Sequence, residues 1–493
     1  MLFEKITAEQ AGLSSKDVES LLRFYERNGI VMHSLLLMKG DKLFGEYYWA
    51  PFTQEYCHRM YSQTKSYVGV AIGLLIDEGK ISLDDKLVDF FPEKIDMEIH
   101  PYLKDQTIKE MLTMTTCHEE GGWFWSPDPD RIHQYLTGDI NPQPSGTRWR
   151  YDSAGSLVLG AIVEKITGKS LFDYMDEKIF KHLGTFKTAR ILTVPTGNAW
   201  ADSALLCTSR DMMSFGRFVM NYGKWEGKQL MSEQYLRDAT SAVVGNADNS
   251  FSMYESYGYG YQIWRHRHGF SFNGLGAQFT FCCPDEDVIM VMTGDNCGYG
   301  AAANSILYAG LEEFIINRIQ KDSLPADQSA VDSLNEFTKD LKIPVCIGEK
   351  YMPLQEKING VEYIFDENPK FKKFSLEFDG NGAGQLNYVN AQGEKTLKFK
   401  MCENEFTKFP QLGYFNEVCK IKTTDGYMRD VAVSAGWLDQ SRLMIRVQIT
   451  DHYTGNMSMI FSFKDDYAVM SIEKTAENSF GEYPGVFVAK KVK

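Results

Sequence analysis

The sequence predicts an α+β domain, a single antiparallel sheet against a helical region, followed by a smaller antiparallel β-barrel or sandwich. Three observations predict it. A helix and hairpin open the chain and a strand meander returns late, with helical spacing dominating between them, so the sheet is made from both ends of the first domain. Beyond residue 344 the texture changes to short alternating runs separated by Gly, Asn and Asp, as in all-β domains. At 493 residues, 43% of them hydrophobic, the chain is longer than a single core normally fills.

Ser14-Ser15 supplies N-cap chemistry ahead of Val18, Leu21, Leu22 and Tyr25 at helical spacing, with an end near Asn28-Gly29. His33 to Met38 and Leu43 to Trp49 read as strands joined by a Gly40-Asp41 turn. Helical spacing returns from Ser62 to Gly79, where Val68, Ala71, Ile72, Leu75 and Ile76 form one stripe, and again over Asp105 to Thr115 and Ser153 to Gly168. Tyr257 to Trp264, Phe270 to Cys283 and Val288 to Thr293 are expected strands, rich in aromatic and β-branched residues. The polar segment 321–344, with Leu334, Phe337 and Leu341 at helical spacing, reads as a linker between a domain at 1–320 and a β-rich domain at 345–493. In that last domain, Phe371 to Phe378, Gly384 to Val389, Thr396 to Met401, Val431 to Leu438, Leu443 to Ile449, Met457 to Phe463 and Tyr467 to Ile472 are expected strands of a lipocalin-like barrel.

Composition removes several function classes. Lys and Arg total 52 against 66 Asp and Glu, a net charge of −14, and no long basic run exists, so nucleic acid is not an expected partner. Nine scattered cysteines, an odd number without a C-x-x-C pair, read as reduced thiols, and the histidines show no H-E-x-x-H spacing, so no metal is expected. The longest apolar run, Val68 to Ile76, is far short of the roughly 20 residues of a membrane span. With no signal peptide visible after Met1, the expected address is cytoplasmic.

The chemistry concentrates at Ser62-Gln63-Thr64-Lys65. On a helix, residues i and i+3 share a face, so the Lys65 amine can reach the Ser62 hydroxyl beside free N–H groups at the helix start. A lysine acting as base must be neutral, which burial and nearby positive charge promote. Ser471-Ile472-Glu473-Lys474 has the same spacing but lies on an expected strand, where the two side chains face opposite sides. Tyr151, in Arg148-Trp149-Arg150-Tyr151-Asp152-Ser153, sits at a loop-to-helix junction, where its phenol either enters a cleft or staples the helix start. Phe272-Asn273-Gly274-Leu275-Gly276-Ala277-Gln278 is a strand interrupted by two glycines, the mark of a bulge or a close approach. Gly168-Lys169-Ser170 is a helix end rather than a phosphate loop, and no G-x-S-x-G is present. Cys117-His118 and the aromatic Trp123-Phe124-Trp125 either wall a pocket or pack as a loop.

In order and spacing these features resemble the serine β-lactamase and penicillin-binding-protein superfamily, particularly the branch of class C β-lactamases, D-Ala-D-Ala carboxypeptidases and related esterases and amidases. The resemblance covers roughly residues 8 to 318 and extends to Asp77-Glu78-Gly79-Lys80-Ile81-Ser82-Leu83-Asp84-Asp85, Glu110-Met111-Leu112-Thr113 and Thr208-Ser209-Arg210-Asp211. It implies a β-lactamase/transpeptidase-like fold and an acyl-enzyme on Ser62, with Lys65 and Tyr151 as proton-transfer partners. The oxyanion hole would be the backbone N–H groups of Ser62 and Leu275, and Ser153, Phe272, Asn273, Gly274 and Gly276 would be substrate-binding. No metal or organic cofactor is implied.

Two departures bear on substrate. The second motif ends in Ser153 where the family commonly has Asn, and Phe272 stands where Lys or His commonly meets a substrate carboxylate. Arg148, Arg150 or the Arg265-His266-Arg267-His268 cluster would have to replace that anchor. The expected partner is therefore a small ester or amide, peptides included. A penicillin-binding D-Ala carboxypeptidase, a β-lactamase and a non-catalytic peptide- or glycan-binding member are the alternatives.

Overall fold

A computed structural model describes residues 3–118, 128–138, 143–412, 415–416, 421–422, 428–476 and 479–492. The chain divides into two compact units, one of residues 1–342 with 417–421, the other of 343–416 with 422–493.

In the first unit, helix α1 (Ser15–Arg27) starts where expected: the Ser14 hydroxyl accepts from the Lys16 N–H, and Asn28 with left-handed Gly29 ends it. The hairpin follows as β2 (Met32–Lys39) and β3 (Lys42–Tyr48), with a two-residue strand β1 (Glu4–Lys5) parallel to β3 at the edge. The late meander is β4 (Trp264–His266), β5 (Gly269–Gly274), β6 (Gln278–Cys283) and β7 (Val288–Gly294). The sheet order is β1-β3-β2-β7-β6-β5-β4, so β2 pairs antiparallel with β7 and the two ends of the domain meet at the sheet centre.

Both faces are covered, which is why β5, β6 and β7 are buried at every position instead of alternating. On one face Leu36, Met38, Ile289 and Val291 join the large helical core containing α2 (Thr64–Asp77), α3 (Ser153–Thr167) and α4 (Ser209–Met220). Phe215 of α4 stacks on Tyr67 of α2 with centroids 3.8 Å apart. On the other face Tyr25 of α1 touches Met290 and donates to the Leu307 carbonyl of α5 (Ala301–Gly310).

Three expectations need correction. Tyr257 to Trp264 is not a strand: apart from isolated bridges at Tyr259, ladder pairing begins at Trp264, because Gly258 has φ +110° and a Cβ on Gly260 would lie 1.9 Å from the Ala239 carbonyl oxygen. Tight approach to the end of a neighbouring helix, Glu233–Ala239, overrides aromatic strand propensity there. Phe270 to Cys283 is two strands, broken by the turn at 275–277, where Gly276 and Ala277 both have positive φ. The segment expected to be a linker carries helix α6 (Gln328–Thr338), which Asp327 caps and which packs back on α1, with the Arg23 guanidinium 4.0 Å from the Phe337 ring centroid. Gly168-Lys169-Ser170 is a helix end, as expected: Gly168 caps α3 in the left-handed conformation and Ser170 caps the next helix.

The second unit is a closed barrel of nine strands. All seven expected runs are strands, and Glu362–Phe365 and Gly485–Lys491 complete the ring; Glu405–Leu412 pairs outside it on Met428–Trp437. Closure comes from parallel pairing of Gly393–Met401 with Met428–Trp437, which leaves the ring no open edge. No helix among the described residues is long and apolar enough to cross a membrane.

Candidate active site

Ser62 is the middle residue of a 3-10 turn, Tyr61–Gln63, that runs directly into α2. Tyr61 before it holds a left-handed φ of +47°, a strained conformation of the kind concentrated at functional sites. The turn is pinned to the short strand Leu205–Cys207: the Met60 N–H donates to the Leu205 carbonyl at 2.7 Å, and the Leu205 N–H donates to Thr64 Oγ1 at 3.1 Å. Lys65, one turn on and 1% exposed, donates from Nζ to Ser62 Oγ at 3.1 Å and to the Asp202 carbonyl at 2.7 Å. The Asp202 carboxylate lies 3.9 Å from the same nitrogen.

Tyr151 is fixed by its neighbour in the chain. Asp152 caps α3 by accepting from the Gly155 N–H at 2.9 Å, and its other oxygen accepts from Thr116 Oγ1 and the Tyr135 hydroxyl, each at 2.8 Å. The Tyr151 ring packs parallel to Trp264 and edge-on to Phe251, and the Lys65 amine lies 5.1 Å from its centroid. The cleft and the staple therefore coexist: the helix start is a packed junction, and Tyr151 lines the same cavity as Ser62.

The third segment reaches Ser62 through a glycine. A Cβ on Gly274 would lie 2.1 Å from the Met60 carbonyl oxygen, so only glycine lets the end of β5 approach the Ser62 turn. The turn beyond is braced by Gln278, whose Nε2 donates to the Leu275 and Gly294 carbonyls, and by Asn296, which bonds both the N–H and the carbonyl of Val31.

Ser62, Tyr151, Asn273, Gly274, Leu275 and Gly276 line one cavity of about 300 Å³. Phe272 and Ser153 do not. Phe272 is fully buried on the opposite face of β5, against Phe215 and Phe270, and Ser153 is the first residue of α3. Of the arginines considered as carboxylate anchors, Arg148 pairs with Asp248, Arg265 bonds the Thr240 carbonyl and Arg267 pairs with Glu312; neither they nor Arg150 line the cavity. Cys117 and His118 are buried away from it, the imidazole stacked on Tyr135 and bonded to its carbonyl oxygen, and burial pushes the Cys117 thiol up to about 11. Trp123-Phe124-Trp125 lies outside the described residues.

Sequence reading missed Asp202, Glu255 and Asn304. Glu255 ends a short 3-10 turn and is buried in the cavity wall, its carboxyl raised above the usual range by burial, against hydrogen bonds from Ser252, Asn273 and Asn304. No periodicity marks these residues, which come from loops or helices remote from the motifs.

The Beta-lactamase family model matches residues 19–295, more than half the chain. The chain belongs to the beta-lactamase family. This is a hydrolase family whose members differ in substrate, and family membership by itself does not mean β-lactam cleavage. A relative, the 6-aminohexanoate-dimer hydrolase of Paenarthrobacter ureafaciens, is 26% identical over 279 residues, 52% of this chain and 71% of that protein. Among solved structures, the octameric penicillin-binding protein homologue from Pyrococcus abyssi matches with TM-score 0.50 and 16% identity over 96% of this chain and 99% of its own. EstCE1, a hydrolase with promiscuous acyltransferase activity, matches with TM-score 0.50 and 15% identity over 62% of this chain and 99% of its own. At such identities the two structures support the fold.

Proposed function

We propose that this beta-lactamase family member is a serine hydrolase that cleaves a small ester or amide through an acyl-enzyme on Ser62. The observation that carries the reading is the 3.1 Å hydrogen bond between buried Lys65 Nζ and Ser62 Oγ, beside a cavity that Tyr151 also lines. Ser62 Oγ attacks the substrate carbonyl carbon, its proton passing to the Lys65 amine as the C–O bond forms. The carbonyl π electrons move to oxygen, and that oxyanion is held by the Ser62 and Leu275 N–H groups. Collapse of the tetrahedral species breaks the bond to the leaving alcohol or amine, which takes a proton from Tyr151 or Lys65. Water then attacks the acyl-enzyme, delivering its proton to the same pair, and the acid leaves with Ser62 restored.

An ester or amide is favoured over a carboxylate-bearing β-lactam or D-Ala peptide because no Lys, Arg or His lines the cavity among the described residues. The Paenarthrobacter relative, named a 6-aminohexanoate-dimer hydrolase, supports hydrolysis of a substrate other than a β-lactam. A cytoplasmic address is part of the proposal, since a substrate other than cell-wall peptide needs no export. The test is labelling by a fluorophosphonate, which reacts with activated serines. Wild type should label and Ser62→Ala should not; equal labelling of the two refutes the nucleophile.

A further inference from the structure

Glu255 Oε1 accepts a carboxamide N–H from Asn273 at 2.6 Å and another from Asn304 at 3.0 Å, and Oε2 accepts the Ser252 hydroxyl at 2.9 Å. Asn273 Nδ2 also lies 3.2 Å from the Tyr308 hydroxyl. A carboxylate turns a neighbouring amide so that nitrogen faces it, because only the NH₂ end carries donors. Both asparagines therefore point nitrogen at Glu255 and leave their carbonyl oxygens for other partners. Asn273, 8% exposed, lines the cavity, and its Oδ1 is buried with no hydrogen-bond partner among the described residues. A buried acceptor left unmatched is destabilising, and a ligand N–H would relieve it. Asn304, half-buried, lines the same cavity.

The polarity is the reverse of a carboxylate-binding site: acceptor oxygens backed by a buried acid, with aromatic rings of Phe251, Trp264 and Tyr151 alongside. Resting on the ester or amide reading above, we propose that Glu255, through Asn273 and Asn304, makes this cavity select substrates that carry a primary ammonium group near the scissile bond. Asn273 and Asn304 would accept its N–H bonds, and the Glu255 carboxylate would supply the long-range attraction. The aromatic faces would cover the adjoining methylenes and add cation–π attraction. Glu255 thus acts as a specificity-determining residue that also positions the two amides.

The test compares three probes of matched length, pentylammonium, 1-pentanol and pentanoate, as competitors of fluorophosphonate labelling at Ser62. Pentylammonium should protect about tenfold or more better than pentanol, the scale of a hydrogen bond to a charged group, and pentanoate least. In Glu255→Gln the preference for ammonium over pentanol should collapse towards onefold, and in Asn304→Leu it should shrink. Thermal shift of the Ser62→Ala protein with the same probes gives a reading that needs neither chemistry nor a change at Glu255: stabilisation by pentylammonium and none by pentanoate. Equal or better binding of pentanoate, or a preference unchanged in Glu255→Gln, overturns the proposal. If wild type fails to label while pentylammonium still stabilises Ser62→Ala, the hydrolase reading falls and the ammonium site stands.

Discussion

The same Ser-x-x-Lys spacing occurs in both units of the molecule with opposite consequences. At Ser62-Gln63-Thr64-Lys65 the chain enters a helix, and the i and i+3 side chains meet at 3.1 Å inside a wall of buried residues. At Ser471-Ile472-Glu473-Lys474 the chain is a barrel strand, Tyr467–Lys474, whose Ala468, Met470 and Ile472 are buried. There Ser471 and Lys474 fall on opposite sides of the ladder, and the Lys474 amine donates to the Ser479 carbonyl. Spacing supplies reach only where the backbone period makes it a contact.

The sharpest break of the comparison is at the first pair. Ser62→Ala should lower ester hydrolysis by about 10³-fold or more, as loss of a nucleophile does elsewhere. Lys65→Met, which keeps the stem and removes the amine, should cost about 10²–10⁴-fold, the range of a lost proton-transfer group. Release of p-nitrophenol from a simple ester checks both, with circular dichroism melts to show that Lys65→Met still folds. Near wild-type turnover in either variant would make the first Ser-Lys pair as inert as the second.

Next in size is the glycine that lets the third segment approach. Gly274→Ala puts a methyl 2.1 Å from the Met60 carbonyl oxygen, a backbone atom that cannot swing aside. The expected cost is about 1–3 kcal/mol of stability, the range for overpacking, with a fall in turnover because the Ser62 turn itself is displaced. A denaturant series and ester kinetics on the same preparation measure the two effects. An alanine that leaves both unchanged would mean that the close approach plays no part in holding the site.

Much of the fold and site was legible from residue pattern, and the exceptions have physical causes. The capped helix at Ser14, the hairpin and α3 were readable because cap, turn and period agree at each. The Ser62-Lys65 contact followed from helical spacing, and Asn273 lines the cavity beside Ser62. Its neighbour Phe272 cannot do the same on a regular strand, since adjacent residues face opposite sides, and it lies in the core with Phe215. Asp202 was invisible because the atom closest to Lys65 is a backbone carbonyl, which no side-chain pattern records. Glu255 was invisible because Ser252 of a loop, Asn273 of a strand and Asn304 of a helix converge on it only after folding. In the barrel, Gly485–Lys491 escaped because Val486 and Val488 are exposed while Phe487 and Ala489 are buried, which erases the polar-apolar alternation.

A smaller effect separates the units by acid sensitivity. His266, fully buried in β4 beside the Phe270 carbonyl, has its pKa lowered to about 3, chiefly by burial, with Arg265 and His268 pushing the same way. Between about pH 3 and 6.5 the unfolded chain then binds more protons than the folded one. Stability is complete above pH 6.5 and falls as pH drops below it, with a slope approaching about 1.4 kcal/mol per pH unit from this residue. His33 and His118 are lowered by burial in the same unit, whereas the barrel contains the single histidine His452. Melts of the full chain from pH 7.5 to 4.5 should show a steeper loss for wild type than for His266→Gln. Parallel curves would remove His266 as a source of acid lability.

The smallest expected effect falls at the second pair, and it tests the comparison from the other side. Ser471 pairs in the ladder with Ile460 and Val486 and is only half-buried, so Ser471→Ala removes one hydroxyl and leaves every backbone bond in place. Stability should change by no more than about 0.5 kcal/mol, the usual range for surface substitutions, and fluorophosphonate labelling should be unaltered. Lys474→Met should cost slightly more, because its amine ties the end of the strand to the Ser479 carbonyl, but it too should leave labelling intact. If either substitution lowered labelling as Ser62→Ala does, the strand pair would have to take part in the chemistry despite facing opposite ways. The backbone period would then no longer separate the proposed Ser-Lys pair from the one on the strand.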